Sequence, residues 1–249
     1  ILLARGVDDA EKIARFMHPG KENFLSPFLM RGMKELAAAV ARVKEKGGEV
    51  AVFGDYDADG VCSAAIMYYA LREYGVRARI YVPERSDGYG LSREGIDGII
   101  AEGVPDLFVT VDCGVSCKDE VAYAKSLGAE VIVTDHHELP ETLPDCVIVN
   151  PKLSDDYPYD NLCGAGVAFK LCAALEGCDP AELLEMYGEL AALGTVADVM
   201  PLVGENRTIV REGLSLLQDT MRPGLHALLE SAGCGGKPVT ADTVSYRLA

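Results

Sequence analysis

The chain has 249 residues, 49% hydrophobic and 25% charged, with 26 glycines, an ordinary globular composition long enough for one large α/β domain or two small ones. No apolar run approaches the roughly 20 residues that span a bilayer, and Ile1-Leu2-Leu3-Ala4-Arg5 is too short for a signal h-region, so no membrane association is expected. A formal net charge of −16 argues against a surface built to hold nucleic acid, yet clustered carboxylates are what divalent cations require, and two such ions would offset about four charges locally.

Ala10 to Phe16 and Met33 to Lys46 carry apolar residues at a spacing near 3.6 and predict two helices, the second stopping at Gly47-Gly48. The pattern then alternates. Strands are predicted at 49–53, 78–82, 107–111, 130–134 and 146–149, with helices at 61–74, 92–102 and 117–127 between the first four. Alternation at this pitch indicates βαβ units and a parallel sheet. Residues 150–163, with Pro151, Pro158 and Asp155-Asp156, predict a loop. Beyond it, 165–176, 180–193, 205–218 and 224–232 predict helices, bounded by Gly164, Pro180, Gly204 and Pro223-Gly224. The fold class is α/β, a parallel sheet with flanking helices, a helical amino-terminal lead and a helical carboxy-terminal part. There is no internal repeat and no low-complexity segment. The eight cysteines are scattered and most sit in apolar segments, which predicts reduced thiols in a cytoplasmic protein.

Acidic and histidine residues follow the β-branched runs. Val50-Ala51-Val52-Phe53 leads into Gly54-Asp55-Tyr56-Asp57-Ala58-Asp59-Gly60, Leu107 to Val111 into Asp112-Cys113-Gly114, and Val131-Ile132-Val133 into Thr134-Asp135-His136-His137. Thr195-Val196-Ala197 is a fourth run of this kind and leads into Asp198. Open α/β sheets bind ligands outside the carboxyl ends of their strands, so these segments are expected to converge on a metal site. An EF-hand is the competing reading of Asp55-x-Asp57-x-Asp59-Gly60, but Ile66 stands where the twelfth-position Glu is required, and a strand rather than a helix enters the loop. Plain turn aspartates are the other, and three at alternate positions would repel one another without a cation. Imidazole beside carboxylates suits Mn²⁺, and hard oxygen ligands also accept Mg²⁺. With Asp112 placed to bridge two ions, the pattern points to paired-metal phosphoester hydrolysis.

The motifs Gly54 to Gly60, Val111 to Gly114, Thr134 to His137, Gly164 to Gly166 and Gly194 to Val199 occur in the order and rough spacing of the DHH phosphoesterase superfamily, which the chain resembles from Leu3-Ala4-Arg5-Gly6 to Tyr246-Arg247-Leu248-Ala249. Within it, the likeness is to single-stranded-DNA-specific exonucleases. The resemblance implies that Asp57, Asp59, Asp112, His136 and Asp198 hold two Mn²⁺ or Mg²⁺ ions, with Asp112 between them. It implies that His137 faces the scissile phosphate and that Asp135 orients a histidine. Many members begin the first motif with a His where this chain has Phe53, and Asp55 is the candidate replacement. The same resemblance makes Arg85, before Gly88-Tyr89-Gly90, a phosphate contact. For Gly164 and Gly166 two readings stand, amides that receive a substrate anion at a helix start or glycines that permit close helix packing. Thr110 and Thr134 read as plain strand residues.

By this resemblance the chain divides into a helical lead over 1–47, a DHH metal-binding domain over 48–200 and a helical segment over 201–249. The superfamily's glycine- and histidine-rich carboxy-terminal substrate domain and the exonucleases' nucleic-acid-binding barrel are not recognisable, and the first residue is not Met. The expectation is a fragment holding the metal core, with weak or missing activity. The implied function is 5′-to-3′ degradation of single-stranded DNA in recombination and repair, with a single-strand-binding protein or a helicase as partner. A small-substrate phosphoesterase acting on pyrophosphate, oligoribonucleotides or cyclic dinucleotides is one alternative. A catalytically silent replication scaffold is the other, and retention of a destabilising charge cluster speaks against it.

Overall fold

The structure is a computed structural model that describes residues 2–3 and 7–248. Residues 4–6 and 249, at the two ends of the expected resemblance, lie outside the described residues. After α1 (Ala10–Met17) and α2 (Met33–Glu45), the chain alternates through β1 (Glu49–Gly54), α3 (Ala58–Glu73), β2 (Arg77–Tyr81), α4 (Arg93–Ala101), β3 (Leu107–Val111), α5 (Lys118–Ser126) and β4 (Val131–Thr134) to β5 (Val147–Val149). Four longer helices follow, α6 (Gly164–Glu176), α7 (Leu184–Ala197), α8 (Gly204–Gln218) and α9 (Pro223–Ser231), and then a short one, α10 (Ala241–Thr243). The five strands form one parallel sheet in the order β2-β1-β3-β4-β5. The predicted α/β class with helical ends is the observed one.

Period-two alternation explains why both faces of the sheet are covered. Val50 and Val52 of β1 and Leu107, Val109 and Val111 of β3 point into a core built with α2, α3, α6 and α7. Ala51, Phe53 and Phe108 point the other way, against Ile96 and Ile99 of α4 and Val121 and Ala124 of α5. Strands buried on both faces read as continuous apolar runs, which is why β1, β3 and β4 stood out in the sequence. α6 and α7 are apolar all round because they are enclosed on all sides, and the larger core continues from Met30 to Val244.

The strand order fixes where a site can form. From β1 the chain moves to β2 on one side, then crosses back to place β3 on the other. The loops leaving β1 and β3 diverge, and their carboxyl ends form a crevice.

Three local features depart from the sequence expectation. α3 begins at Ala58, not at 61, because Asp57 is its N-cap and accepts the Gly60 N–H at 2.8 Å. Asp59 therefore lies in the first helical turn instead of a loop. The run Thr195-Val196-Ala197 is the last turn of α7, so Asp198 follows a helix and not a strand. In a wholly buried helix apolar periodicity vanishes, and a β-branched pair then imitates a strand. The predicted 180–193 helix is a 3₁₀ turn over Pro180–Leu183, capped by Asp179 and Glu182, followed by α7. All eight cysteines are unbonded, and among the described residues no helix is long and apolar enough to cross a membrane.

One buried ion pair ties the lead to the carboxy-terminal helices. Lys170 of α6, fully buried, donates to Glu205 of α8 at 2.5 Å and to the Leu25 carbonyl. Glu205 also accepts the Leu25 N–H at 2.7 Å and the Tyr157 hydroxyl. Removing one member leaves a buried charge uncompensated, which typically costs about 3–5 kcal/mol. Lys170→Met is therefore expected to lower unfolding stability in urea by about 3 kcal/mol or more, and Lys170→Met with Glu205→Leu by much less. A loss below about 1 kcal/mol in the single variant would show that Glu205 finds other compensation.

Candidate metal centre

His136 is the centre of the crevice. It is 5% exposed, and neither ring nitrogen has a hydrogen-bond partner. Nε2 lies 3.1 Å from Oδ1 of Asp112, 3.6 Å from Oδ2 of Asp198 and 3.8 Å from Oδ2 of Asp59. Two groups with metal-ligand spacing share this imidazole, Asp112-His136-His137 and Asp59-His136-Asp198. Asp112 Oδ1 and Asp55 Oδ2 are also buried without hydrogen-bond partners. Buried polar atoms in native proteins are nearly always satisfied, so four such atoms at one place need a partner of another kind. Imidazole beside carboxylates is a donor set that fits Mn²⁺, and the carboxylate oxygens also accept Mg²⁺.

Each acid reaches the crevice by a specific local device. Asp112 follows β3 in the left-handed region, at φ +60°, a conformation Asp tolerates better than most residues. The Thr110 hydroxyl donates to the Cys113 carbonyl at 2.7 Å and closes the turn that carries Asp112. The Thr134 hydroxyl donates to the Thr110 carbonyl at 2.7 Å, joining the ends of β3 and β4. These threonines are thus more than the plain strand residues expected. Asp198 caps the C terminus of α7, and the next residue, Val199, has φ +56° with its side chain in solvent. A β-branched residue in that region is a genuine outlier, costing roughly 1–2 kcal/mol with no burial to offset it. The strain sits beside a candidate ligand.

Asp59 joins the two halves of the crevice. Its carboxylate accepts the N–H groups of Gly164 at 2.7 Å and Ala165 at 2.9 Å, at the positive end of α6. Two glycines make this approach possible. A Cβ on Gly194 would lie 2.4 Å from Asp59 Oδ1, and one on Gly164 would lie 2.5 Å from the Asp112 Cβ. The Gly164 amide donates to Asp59 and the Gly166 amide to the Cys163 sulfur, so in this structure both amides have partners within the chain.

The remaining candidates are placed as follows. Asp55 is fully buried after β1, Oδ1 accepting the Tyr56 N–H, while Asp57 is half-buried with one oxygen on the Gly60 amide; both fall outside the two groups above. Phe53, at the position of the missing His, is buried against Tyr81, with ring centroids 5.3 Å apart. Asp135 orients His137 rather than His136: its Oδ1 lies 2.7 Å from His137 Nδ1 and accepts both histidine backbone amides, while Oδ2 accepts the Val115 N–H. Asn150 donates to the His137 carbonyl at 3.0 Å and fixes the same segment from β5. Arg85 is exposed on a 3₁₀ turn, its guanidinium 5.4 Å from the centre of the Tyr56 ring. Sequence reasoning missed Tyr89, whose hydroxyl lies 2.7 Å from His137 Nε2.

Burial together with mutual repulsion sets the titration of the cluster. Burial, then the charges of Asp59 and Asp57, hold Asp112 well above the usual carboxylate range and bring Asp198 to about 6. Burial raises Asp55 and lowers His136. Burial would also raise Asp135, but the hydrogen bond and charge of His137 outweigh it and the carboxyl is lowered, while the same bond raises His137.

Residues 49–195 match the DHH family, N-terminal domain. The chain belongs to the DHH family. It is 41% identical to the single-stranded-DNA-specific exonuclease RecJ of Bacillus subtilis, a match covering all of this chain and 31% of that relative. The crystal structure of RecJ from Thermus thermophilus in complex with Mn²⁺ superposes with a TM-score of 0.75 at 37% identity, over 88% of this chain and 32% of that one. The same protein in complex with Mg²⁺ gives 0.69 at 33% identity, over 100% and 31%. The chain is RecJ-like and spans about a third of the length of these relatives.

Carboxylates held above their usual range carry protons that a cation must expel. Protons are bound below a raised pKa and lost above it, so with Asp198 at about 6 Mn²⁺ affinity is expected to fall as pH drops through 6, approaching tenfold per pH unit below it for each proton displaced. Calorimetric titration at about pH 6 in two buffers of different ionisation enthalpy should give different apparent heats. Equal heats at the lower pH would remove Asp198 and Asp112 from the binding set.

Proposed function

We propose that this chain is the metal-binding core of a single-stranded-DNA exonuclease that hydrolyses phosphodiester bonds from the 5′ end and serves recombination and repair. The observation that carries this reading is the set of buried, unpartnered atoms on His136, Asp112 and Asp55 at the crevice between β1 and β3, in a chain whose relatives are RecJ proteins crystallised with Mn²⁺ or Mg²⁺. Residues 48–200 hold the centre in this proposal, and the segments 1–47 and 201–249 frame it.

The residues divide the work by position. Asp57, Asp59, Asp112, His136 and Asp198 would hold two divalent cations, with Asp55 in place of the ligand that Phe53 cannot supply. Asp112 is the candidate bridge, because it meets both His136 and the carboxyl of Asp59. Bound there, the cations supply Lewis acidity that polarises a phosphoryl oxygen and acidifies water. His137, with its ring oriented by Asp135 and 40% of its side chain exposed, faces the substrate phosphate. Arg85 over Tyr56 sits at the rim. An exposed cation–π contact is worth about 0.5–1 kcal/mol, less than the roughly 1.5–3 kcal/mol of a charge-assisted hydrogen bond, so a phosphate draws the guanidinium away from the ring.

The test is Mn²⁺-dependent degradation of end-labelled single-stranded DNA by this chain and by a version extended past Ala249, with pyrophosphate hydrolysis alongside. Release of mononucleotides from the 5′ end is expected. Pyrophosphate turnover without DNA cleavage would replace this reading with a small-substrate phosphoesterase, and silence on both with metal bound would favour a scaffold. Asp112→Ala is expected to lower turnover at least about a hundredfold, with the circular dichroism spectrum retained. Arg85→Ala should raise KM for 5′-phosphorylated strands roughly tenfold and leave Mn²⁺ affinity unchanged. An unaltered KM would return Arg85 to a purely structural contact.

A further inference from the structure

His137 is held from both sides. Nδ1 lies 2.7 Å from Asp135 Oδ1, and Nε2 lies 2.7 Å from the Tyr89 hydroxyl. The two partners come from different parts of the sheet, Asp135 from the end of β4 and Tyr89 from the segment between β2 and α4. Asp135 accepts four hydrogen bonds, from three backbone or ring nitrogens of His136 and His137 and from Val115, so it is a fixed anchor. A carboxylate on Nδ1–H sets the tautomer and leaves Nε2 of the neutral ring to accept from a hydroxyl. The His136 ring packs against the His137 ring with centroids 4.4 Å apart, and the Tyr89 hydroxyl adds a second polar contact to the one from Asp135.

Tyr89 is presented in a way that suits this task. Gly88 and Gly90 both have positive φ, +92° and +81°, so the chain turns on each side of the tyrosine and carries it out from the sheet. Its ring meets His137 edge-on at 5.7 Å and Tyr56 edge-on at 6.5 Å, and Tyr56 directly follows Asp55. The residue is 58% exposed, so little apolar burial accounts for its placement, and its hydroxyl, 2.7 Å from His137 Nε2 and 3.5 Å from Nδ1, is its defined polar contact.

We infer that Tyr89 is a positioning residue for His137: through its hydroxyl it completes a three-part clamp, Asp135-His137-Tyr89, that fixes the imidazole plane at the mouth of the metal centre before a phosphate arrives. The inference rests on the hydrolase reading given above, in which His137 faces the phosphate. A ring already restrained on two sides loses less orientational freedom when the reaction proceeds, so the benefit falls on turnover and not on substrate capture.

Tyr89→Phe keeps the ring and removes only the hydroxyl, and Tyr89→Ala removes both. With Mn²⁺ and a 5′-phosphorylated single-stranded oligodeoxynucleotide, Tyr89→Phe should lower kcat about threefold to tenfold with KM and Mn²⁺ affinity within about twofold of the parent. Tyr89→Ala should lower kcat at least as much. A kcat unchanged in Tyr89→Phe overturns the inference, as does a change confined to KM, which would make Tyr89 a substrate contact only. If the parent protein hydrolyses neither DNA nor pyrophosphate, the hydrolase reading fails by itself, and the clamp is then decided by nitrogen-15 spectra of the Mg²⁺-loaded protein. Only four histidines contribute to those spectra. A shifted His137 Nε2 resonance in Tyr89→Phe supports the clamp, and an unmoved one rejects it.

Discussion

Negative charge brought together out of water is the constraint around which this molecule is arranged. Asp55, Asp59, Asp112 and Asp135 are all buried, and Asp57 and Asp198 stand beside them. At such spacing carboxylates repel strongly, and burial removes the solvent that would screen them. The structure answers mainly with backbone donors. Backbone amides surround Asp135, a helix terminus faces Asp59, and an N-cap occupies Asp57. Asp112 and His136 keep atoms with no such partner. The division separates acids that the fold neutralises from acids whose neutralisation is left to a ligand.

The same logic orders the helices. α3 and α6 both begin at the crevice, one through the cap at Asp57 and the other with its first amides on Asp59, so two positive helix ends converge where the acids accumulate. α7 ends there at Asp198, and small residues at Gly164 and Gly194 let these helices close around the acids. Away from the crevice, α6 continues into the buried Lys170–Glu205 pair, which anchors the lead through Leu25. An acidic chain is thus compatible with the phosphate substrate proposed above, because helix termini and the cations that the unpartnered atoms would hold set the charge balance at the crevice locally, whatever the chain's net charge.

Much of this was legible in the sequence because the sheet is parallel and buried on both faces. Continuous apolar runs ending in Asp55, Asp112 and Asp135 marked the strand exits, and the family resemblance named most of the residues that the crevice gathers. What was not legible depended on side chains meeting across the fold. The Asp57 cap lies within four residues, but an Asp followed by Gly60 also reads as a turn, so α3 was started late. The partner of the Gly164 amide, Asp59, arrives from a distant segment, and the Tyr89 hydroxyl beside His137 arrives from another. Thr195-Val196 looked like strand because propensity carries little weight in a helix whose every face is packed.

The contact between Asp59 and the amides of Gly164 and Ala165 spans 105 positions in the chain. Read in time rather than in space, this separation means that the acidic loop emerges from the ribosome long before its helix partner. At ordinary rates of synthesis the wait is roughly 5–20 s. Through that interval β1 and the loop after it exist without α6, and the acids are left to water and free cations. The crevice is therefore among the last parts of the molecule to acquire its final form, and an interrupted chain that stops short of α6 would carry the conspicuous acidic motif without the helix terminus that holds it in place.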